Sequence, residues 1–262
     1  MHVTCVIPAR YQSTRFPGKP LAKISGKPML QWVYEGVQKA RQIDEVIIAT
    51  DDERIMDVAR SFSGKSLKVI LTSREHGSGT DRTRDAVKNR ACEVVINVQG
   101  DEPLVDGPSL DMLIEEFRRH SGLEMATLAE DFRSPDEIFD PNIVKVVTDR
   151  NGFALFFSRS PIPYFKSGGR LKLNFKEELE KRPDLIARYL KHQGIYGYRK
   201  EALFRLAEIR YSSLEEVEGL EQLRALEMGI KIKVLKSGFR SIGVDTPDDI
   251  MRVEKVLRTR AG

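Results

Sequence analysis

Short apolar runs alternate with amphipathic stretches along the first half of the chain. Four of these runs are rich in valine and isoleucine, which is typical of strands buried on both faces: 2–8 (HVTCVIP), 45–49 (EVIIA), 67–71 (LKVIL) and 93–98 (EVVINV). Between the runs, apolar residues at helical spacing predict helices over 29–41, 52–61 and 80–90. This alternation is typical of a doubly wound, mostly parallel sheet. The first half is therefore predicted to be an α/β, Rossmann-like structure.

The pattern changes after residue 124. The apolar runs that begin at 125, 144, 153 and 193 are closer together and richer in aromatic residues, and they predict mixed or antiparallel strands. A polar stretch at 166–185 is expected to be an exposed loop or a short helix. One long helix is predicted at about 214–228, opened by Ser212 and Ser213 with a glutamate three residues after each. Its apolar arc comprises Leu214, Val217, Leu220, Ala225 and Met228. A strand at 231–236 and a helix from Pro247 complete the chain.

Charge and composition exclude several classes of protein. The 262 residues include 43 Lys and Arg against 39 Asp and Glu, with no block of like charge, which argues against a nucleic-acid-binding tail. No segment has the ~20 apolar residues of a membrane span, and the first residues lack the pattern of a signal peptide. Cys5 and Cys92 are isolated and are expected to be small buried residues. A soluble protein of a reducing compartment is predicted.

In a parallel sheet, ligands bind beyond the carboxyl ends of the strands, so the loops at 8–20, 49–52, 72–80 and 99–103 should share one edge. The first of these loops, in VIPARYQSTRFPGKP, carries Arg10, Arg15 and Lys19 and no acidic residue. It lacks the Walker pattern, which excludes a P-loop ATPase. A solvated basic surface remains an alternative, but its three prolines stiffen the loop and favour an anion site.

Two carboxylates at the same edge suggest a metal site. Asp101 follows the strand VVINV, and a carboxylate there is well placed to hold Mg²⁺ against a phosphate. The alternative is that Asp101 only caps or turns the next segment. In GVDTPDDI, Thr246, Pro247 and Asp249 already explain a helix start, which leaves Asp245 without a structural role. Asp101 and Asp245 are the predicted metal pair.

Other candidate residues have structural alternatives. Glu221 falls on the apolar arc of the predicted helix 214–228, where a carboxylate is costly unless it is paired or used. Arg224 could neutralise it, or it could bind a ligand. A single histidine such as His192 is more often structural than catalytic. The segment 77–80 could form only a turn that caps a helix at Thr80.

Eight segments occur in the same order as in one known family: IPARYQSTRFPGKPLAKISGKPML, HGSGTDR, VVINVQGDEP, FDPNIVKVV, ALFFSRSPIP, HQGIYGYRK, LEEVEGLEQLRALEMG and GVDTPDDI. Through them the chain resembles the 3-deoxy-manno-octulosonate (KDO) cytidylyltransferases nearly from end to end, except in the charged stretch 166–185.

The resemblance implies a single Rossmann-like nucleotidyltransferase domain over 1–262. Its nucleotide-binding core would comprise 1–125 and 230–262, and residues 126–229 would form a smaller sugar-binding and dimerisation lobe. The implied reaction transfers CMP from CTP to the anomeric hydroxyl of KDO with Mg²⁺ and releases pyrophosphate, for lipopolysaccharide synthesis. A cytoplasmic homodimer is implied, with no nucleic acid or membrane partner.

The resemblance also implies a role for each matching residue. Lys19, Asp101 and Asp245 would be catalytic, with the two carboxylates on the metal. The nucleotide would contact Ala9, Arg10, Ser13, Arg15, Lys19, Ala49, Thr50, Ser78, Gly79 and Arg82. The sugar acid would contact Gln99, Arg159, His192, Tyr196, Glu221 and Gln222.

Three rival functions are left. An enzyme of the same class could act on another acid sugar, such as a sialic acid or an amino-substituted octulosonate. A regulator could keep the fold without catalysis, although Arg10, Lys19, Asp101 and Asp245 are all present. Binding of RNA through the basic loop is disfavoured, because the loop lacks the interleaved aromatic residues that such surfaces use.

Overall fold

The computed structural model describes residues 1–13, 16–64, 66–165, 175–209 and 211–261. The strands are β1 (Val3–Ala9), β2 (Lys23–Ile24), β3 (Lys27–Pro28), β4 (Glu45–Thr50), β5 (Leu67–Leu71), β6 (Val94–Val98), β7 (Met125–Asp131), β8 (Lys145–Thr148), β9 (Ala154–Ser158), β10 (Leu190–Arg199) and β11 (Ile232–Lys236). The helices are α1 (Met29–Val37), α2 (Glu53–Arg60), α3 (Gly79–Val87), α4 (Gly107–Arg119), α5 (Pro135–Phe139), α6 (Phe175–Lys181), α7 (Pro183–Ile186), α8 (Lys200–Ala207), α9 (Ser213–Glu218), α10 (Gln222–Glu227) and α11 (Pro247–Ala261).

The chain divides into two compact units. The first comprises Met1–Leu123, Gly194–Glu208 and Phe239–Gly262, and the second comprises Glu124–Gln193 and Ile209–Gly238. Residues 194–208, within the lobe expected at 126–229, thus lie in the first unit, and residues 230–238 lie in the second.

The sheet of the first unit is mostly parallel, as predicted. β1 pairs in parallel with β4 on one side and with β6 on the other, β5 extends the sheet beyond β4, and the end of β10 pairs antiparallel with β6. The chain runs outward from β1 through β4 to β5 and then returns to β6 across β1. The strand order therefore reverses between β1 and β6, which is where open α/β sheets bind their ligands.

Buried strands and side-chain caps explain the first unit. Every residue of β1 and β6 is buried, as their continuous apolar runs predict. Ser78 is the N-cap of α3, and its Oγ accepts from Asp81 N at 3.1 Å. The segment 77–80 thus supplies the cap, but at Ser78, two residues before the position that the structural alternative gave it. Cys5 and Cys92 are buried, as predicted, and burial raises the pKa of both thiols.

The second unit contains the mixed strands that the sequence predicts. β7 and β11 are parallel, β8 and β9 are antiparallel, and the start of β10 pairs antiparallel with β8. The described part of the polar stretch forms α6 and α7, whose Leu179 and Leu185 are buried beside Ile138 and Tyr189. Residues 166–174 lie outside the described ranges.

The predicted long helix at 214–228 is wrong. Two short helices, α9 and α10, replace it, because Gly219 adopts a left-handed φ of 63° that ends α9. The break changes which faces are buried, so Leu214, Val217 and Met228 are exposed, whereas Leu220 and Ala225 are buried as predicted. Ser212 is confirmed as the cap, since its Oγ accepts from Glu215 N at 3.2 Å.

No helix within the described ranges has the length and apolar character to cross a membrane.

Candidate active site

The basic loop after β1 has a defined conformation at its end. Gly18 has a left-handed φ of 71° and donates from its N–H to Tyr11 O at 2.8 Å. A Cβ at this position would also lie 3.1 Å from the Tyr11 ring, so a larger residue is strained there. Pro20 lies in the single-turn 3₁₀ helix Lys19–Leu21 that follows. The turn at Gly18 therefore sets the direction in which Lys19 leaves the loop.

Lys19 lies between the two predicted metal carboxylates. Its Nζ is 2.5 Å from Asp101 Oδ2 and 3.2 Å from Asp245 Oδ1, and it also donates to Val244 O at 3.1 Å. Burial by itself would lower the pKa of Lys19, but the two adjacent carboxylates outweigh this effect and the pKa is raised. The ammonium therefore stays charged at any ordinary pH.

Main-chain and side-chain bonds hold the two carboxylate segments together. Val244 N donates to Asp101 O at 3.0 Å, and Ser241 Oγ donates to the buried Glu102 carboxylate at 2.6 Å. Residues far apart in sequence are thus joined beyond the end of β6. Asp245 lies just before α11, where Thr246 N donates to Asp249 Oδ2, the bond that the predicted capping-box acid makes. Thr246 Oγ1 also donates to this oxygen.

The pair of carboxylates fits a magnesium ion. Asp101 and Asp245 converge on one ammonium group, so both face the position of a single cation. Within the described residues, no group of three or more His, Cys, Asp or Glu side chains is arranged to hold a metal. Mg²⁺ commonly binds through one or two carboxylates and takes its remaining ligands from phosphates and water. The donors present match that requirement when a nucleotide supplies the phosphates.

Arg82 is buried in a network at the carboxyl ends of β4 and β5. Its guanidinium donates to Thr72 Oγ1 at 2.5 Å, to Ser73 O at 3.2 Å and to Asp51 Oδ2 at 2.8 Å, and only 3 % of its side chain is exposed. Thr72 also donates to Thr50 O. Arg82 therefore joins the loops after β4 and β5, an arrangement that braces the residues predicted to surround the cytidine.

Gln99 lies against the start of α3. A Cβ at Gly79 would be 3.3 Å from Gln99 Nε2, so the two predicted site residues are neighbours. Gln99 Nε2 donates to Asn97 Oδ1 at 3.4 Å. Asn97 is buried, and its Nδ2 has no hydrogen-bond partner among the described residues. Sequence analysis missed Asn97, although a polar residue within the apolar run VVINV was a usable signal.

Ser78→Ala is expected to lower the free energy of unfolding by ~1 kcal/mol, because α3 loses its N-cap. If Ser78 also borders the nucleotide, the KM for CTP rises as well. Denaturant unfolding and CTP titration measure the two effects. Ser134→Ala, which removes the N-cap of α5 in the second unit, should affect stability without changing the KM for CTP. Equal KM changes in both variants would contradict a nucleotide contact at Ser78.

The other predicted nucleotide residues are distributed as follows. Ala9 and Thr50 end β1 and β4 and are buried, as is Ala49. Arg10 is exposed at the start of the basic loop, and Ser13 Oγ accepts from Phe16 N at 3.4 Å. The predicted role of Arg15 concerns a residue outside the described ranges.

Tyr196 belongs to the first unit and His192 to the second. Tyr196 is mostly buried and is the cross-strand partner of Asn97. The His192 ring packs edge-on against Phe157, and its Nε2 lies 3.1 Å from Thr127 Oγ1. Burial lowers the pKa of His192 to about 3, so the ring is neutral at pH 7. Any contribution of His192 to ligand binding is therefore a hydrogen bond and not a charge.

The two predicted residues at the start of α10 differ in their surroundings. Gln222 is buried, and its Nε2 has no hydrogen-bond partner among the described residues, which is the expected state of a group that awaits a ligand. Glu221 is half-buried at the N-cap of α10. Arg224, expected as its possible neutralising partner, places two guanidinium nitrogens on the Glu215 carboxylate at 2.5 and 2.6 Å.

Arg159 follows directly after β9 in the second unit. Its guanidinium donates to three main-chain oxygens: Nε to Glu218 O at 2.8 Å, Nη1 to Pro141 O at 3.0 Å and Nη2 to Gly219 O at 3.3 Å. A guanidinium has five N–H donors, so the bonds within the described part of the chain leave two for an anion. The orientation of the group is therefore set by the protein before any ligand binds.

Comparison with known proteins agrees with this geometry. The family model described as cytidylyltransferase matches residues 4–232. The 3-deoxy-manno-octulosonate cytidylyltransferase of Geobacter sulfurreducens is 44 % identical over 258 residues, covering 98 % of this chain and 100 % of the relative. That of Thermodesulfovibrio yellowstonii is 47 % identical over 270 residues, covering 99 % of each. A solved structure of CMP:2-keto-3-deoxy-manno-octonic acid synthetase complexed with CTP has a TM-score of 0.85 and 38 % identity, covering 99 % of this chain and 100 % of that one.

A mostly parallel sheet whose switch point carries a lysine and two carboxylates defines a nucleotidyltransferase of the α/β class. Because relatives above 40 % identity are matched over nearly their whole length, the assignment goes further. The chain belongs to the 3-deoxy-manno-octulosonate cytidylyltransferase family, also called the CMP-KDO synthetases.

Proposed function

We propose that this protein transfers CMP from CTP to the anomeric hydroxyl of KDO, which activates KDO for lipopolysaccharide synthesis. The observation that carries the proposal is the convergence of Lys19, Asp101 and Asp245 beyond β1 and β6. The new bond joins the sugar oxygen to the α-phosphorus of CTP, and the bond to the β-phosphate breaks to release pyrophosphate. The proposal includes a cytoplasmic location, which the resemblance implies.

The protein's own groups bind and orient the two substrates. Lys19 and the exposed Arg10 supply positive charge for the triphosphate. Asp101 and Asp245 would hold Mg²⁺. When bound there, Mg²⁺ supplies charge neutralisation of the phosphates and makes the sugar hydroxyl a stronger acid. The residues bound to CTP and KDO act by position and charge, so no side chain needs to become a nucleophile.

Pyrophosphate release from CTP tests the proposal. The purified protein is assayed with KDO, an amino-substituted octulosonate and a sialic acid, each with and without Mg²⁺. We expect release with KDO and Mg²⁺, and much less with a sialic acid. Release only with one of the other acid sugars would show that this sugar, and not KDO, is the substrate. No release with any sugar would favour a regulator that binds without catalysis.

A homodimer that forms through the second unit is part of the proposal. Of the eight large hydrophobic side chains found exposed in the described chain, six belong to the second unit: Leu155, Tyr164, Tyr211, Leu214, Val217 and Met228. Four of them lie on or beside α9, α10 and β9, which contact one another: Leu155, Leu214, Val217 and Met228. An apolar surface of this kind is typical of a subunit contact.

Val217→Asp is expected to convert the dimer to a species with the 29.8 kDa mass of one chain, because 85 % of Val217 is exposed and a subunit contact would bury the new charge. Light scattering coupled to size-exclusion chromatography measures the mass. Met251→Asp, at an exposed position of the first unit, serves as the control and should remain dimeric. A wild-type protein of single-chain mass would rule out the dimer.

A further inference from the structure

Lys145 is a buried cation that the proposed reaction does not use. None of its surface is exposed, and its Nζ donates to three main-chain oxygens: Asp140 O at 2.9 Å, Ile143 O at 2.7 Å and Arg159 O at 2.5 Å. Burying an ammonium is costly, and an apolar residue of similar size is often as stable or more so. Burial lowers its pKa to about 8. A buried charge with this unfavourable free energy suggests that Lys145 has a role beyond packing.

Glu218 binds the same part of the chain through other atoms. Its Oε2 accepts from Arg159 N at 2.9 Å, and its Oε1 accepts from Ser158 Oγ at 2.7 Å. Arg159 is the first residue beyond β9, so its main chain has left the hydrogen-bonded strand. The carboxylate of Glu218 binds its N–H and the ammonium of Lys145 binds its carbonyl. Two charged side chains therefore take over the role of strand pairing at this residue.

The same elements also orient the Arg159 side chain. Main-chain oxygens of Glu218 and Gly219, at the C-terminus of α9, accept from Nε and Nη2, and Pro141 O accepts from Nη1. Pro141 lies in the turn between Asp140 and Ile143 whose carbonyls Lys145 binds. Lys145 thus holds both the main chain of Arg159 and the turn that receives its guanidinium. An anion-binding group that is fixed in advance loses less entropy when the anion binds.

We propose that Lys145 and Glu218 are positioning residues that hold the Arg159 guanidinium ready for the carboxylate of the sugar acid. This inference rests on the proposed function, because it takes KDO as the ligand of Arg159. Lys145 and Glu218 act through Arg159 and do not themselves touch the substrate.

The test compares the two substrates in Lys145→Met and Glu218→Gln. We expect the KM for KDO to rise about tenfold or more in each variant, as displacement of a binding group by a fraction of an ångström does. The KM for CTP should stay within about twofold, as expected for sites that do not interact. Lys233→Met is the matched control, because Lys233 is also a strand lysine whose Nζ binds a main-chain oxygen, that of Asn151.

A double-mutant cycle separates positioning from general damage. In an Arg159→Met background, Lys145→Met and Glu218→Gln should cause no further rise in the KM for KDO, since the group that they position is gone. An unchanged KM for KDO in Glu218→Gln, a parallel rise in the KM for CTP, or full additivity with Arg159→Met would overturn the inference. If Lys145→Met does not fold, the result for Glu218→Gln tests the inference by itself, because this substitution keeps the size of the side chain. A wild-type protein inactive with KDO would instead refute the proposed function.

Discussion

Asp101→Asn is expected to lower turnover at least ~10²-fold while the protein remains folded. The substitution keeps the shape of the side chain but removes one of the two carboxylates that face the Lys19 ammonium, the proposed ligands of Mg²⁺. The Asp101 main chain still accepts from Val244 N, so the join between the two segments persists. Steady-state pyrophosphate release over a range of Mg²⁺ concentrations, with circular dichroism as the folding check, measures the effect.

Asp106→Asn is the matched control for this substitution. Asp106 lies five residues further on and caps α4 by accepting from Ser109 N at 3.0 Å. Asparagine is an equally good N-cap, so this variant should keep both its stability and its turnover. Near-full activity of Asp101→Asn at ordinary Mg²⁺ concentrations would refute the metal assignment. Equal losses in the two variants would point to general damage to the loop.

Lys19→Ala is expected to lower kcat/KM for CTP roughly 10- to 100-fold, the value of one hydrogen bond to a charged group. The raised pKa of Lys19 means that a full positive charge is lost at every assay pH. The KM for KDO should change less, because Lys19 lies in the first unit with the residues proposed to bind the triphosphate. Separate titrations of the two substrates measure both effects, and a larger change for KDO would contradict the assignment.

The same variant also tests the metal site without an activity measurement. Without Lys19, Asp101 and Asp245 lose the cation that lies between them in the absence of metal. Added Mg²⁺ should then raise the melting temperature of Lys19→Ala more than that of the wild type, because two close carboxylates repel each other until a cation binds. Lys23→Ala, which removes an exposed lysine of β2, should behave as the wild type does in both experiments. A metal response no larger than that of the wild type would argue against a shared site.

The accuracy of the sequence predictions follows the kind of signal available. Buried strands such as β1 and β6 were predicted to within a residue or two, because continuous valine and isoleucine runs have few alternative structures. The start of α11 was predicted from Thr246 and Asp249, whose capping bonds are local. The helices α4 and α8 were not predicted, and the helix at 214–228 was predicted as one instead of two. A glycine inside a helical pattern is often tolerated, so the break at Gly219 had no unambiguous signal.

In the candidate site, too, local signals could be predicted and contacts between distant segments could not. Asp101 and Asp245 could be proposed from local patterns, since each is a carboxylate that capping or turn formation did not fully explain. The sequence did not indicate that Lys19 lies between them, because the three residues are separated by 82 and 144 positions and only the fold joins them. Lys145 and Glu218 were missed for a related reason, because Arg159, the residue that both hold, is 14 and 59 positions away. Asn97 was missed although a polar residue within an apolar run was a usable local signal.

The sequence by itself determined the strands β1, β4, β5 and β6, the mostly parallel sheet and the family, because these depend on local hydrophobic patterns and on motifs that keep their order along the chain. Only the tertiary structure determined the position of the Lys19 ammonium between the two carboxylates, the break of the helix at Gly219 and the bonds that hold the Arg159 main chain. The first and the last depend on distances between atoms of separate segments, and the break depends on a left-handed φ that a glycine permits but does not require. Such distances are set when the apolar faces pack, and hydrogen bonds and charges are then satisfied by whichever groups the packing brings together.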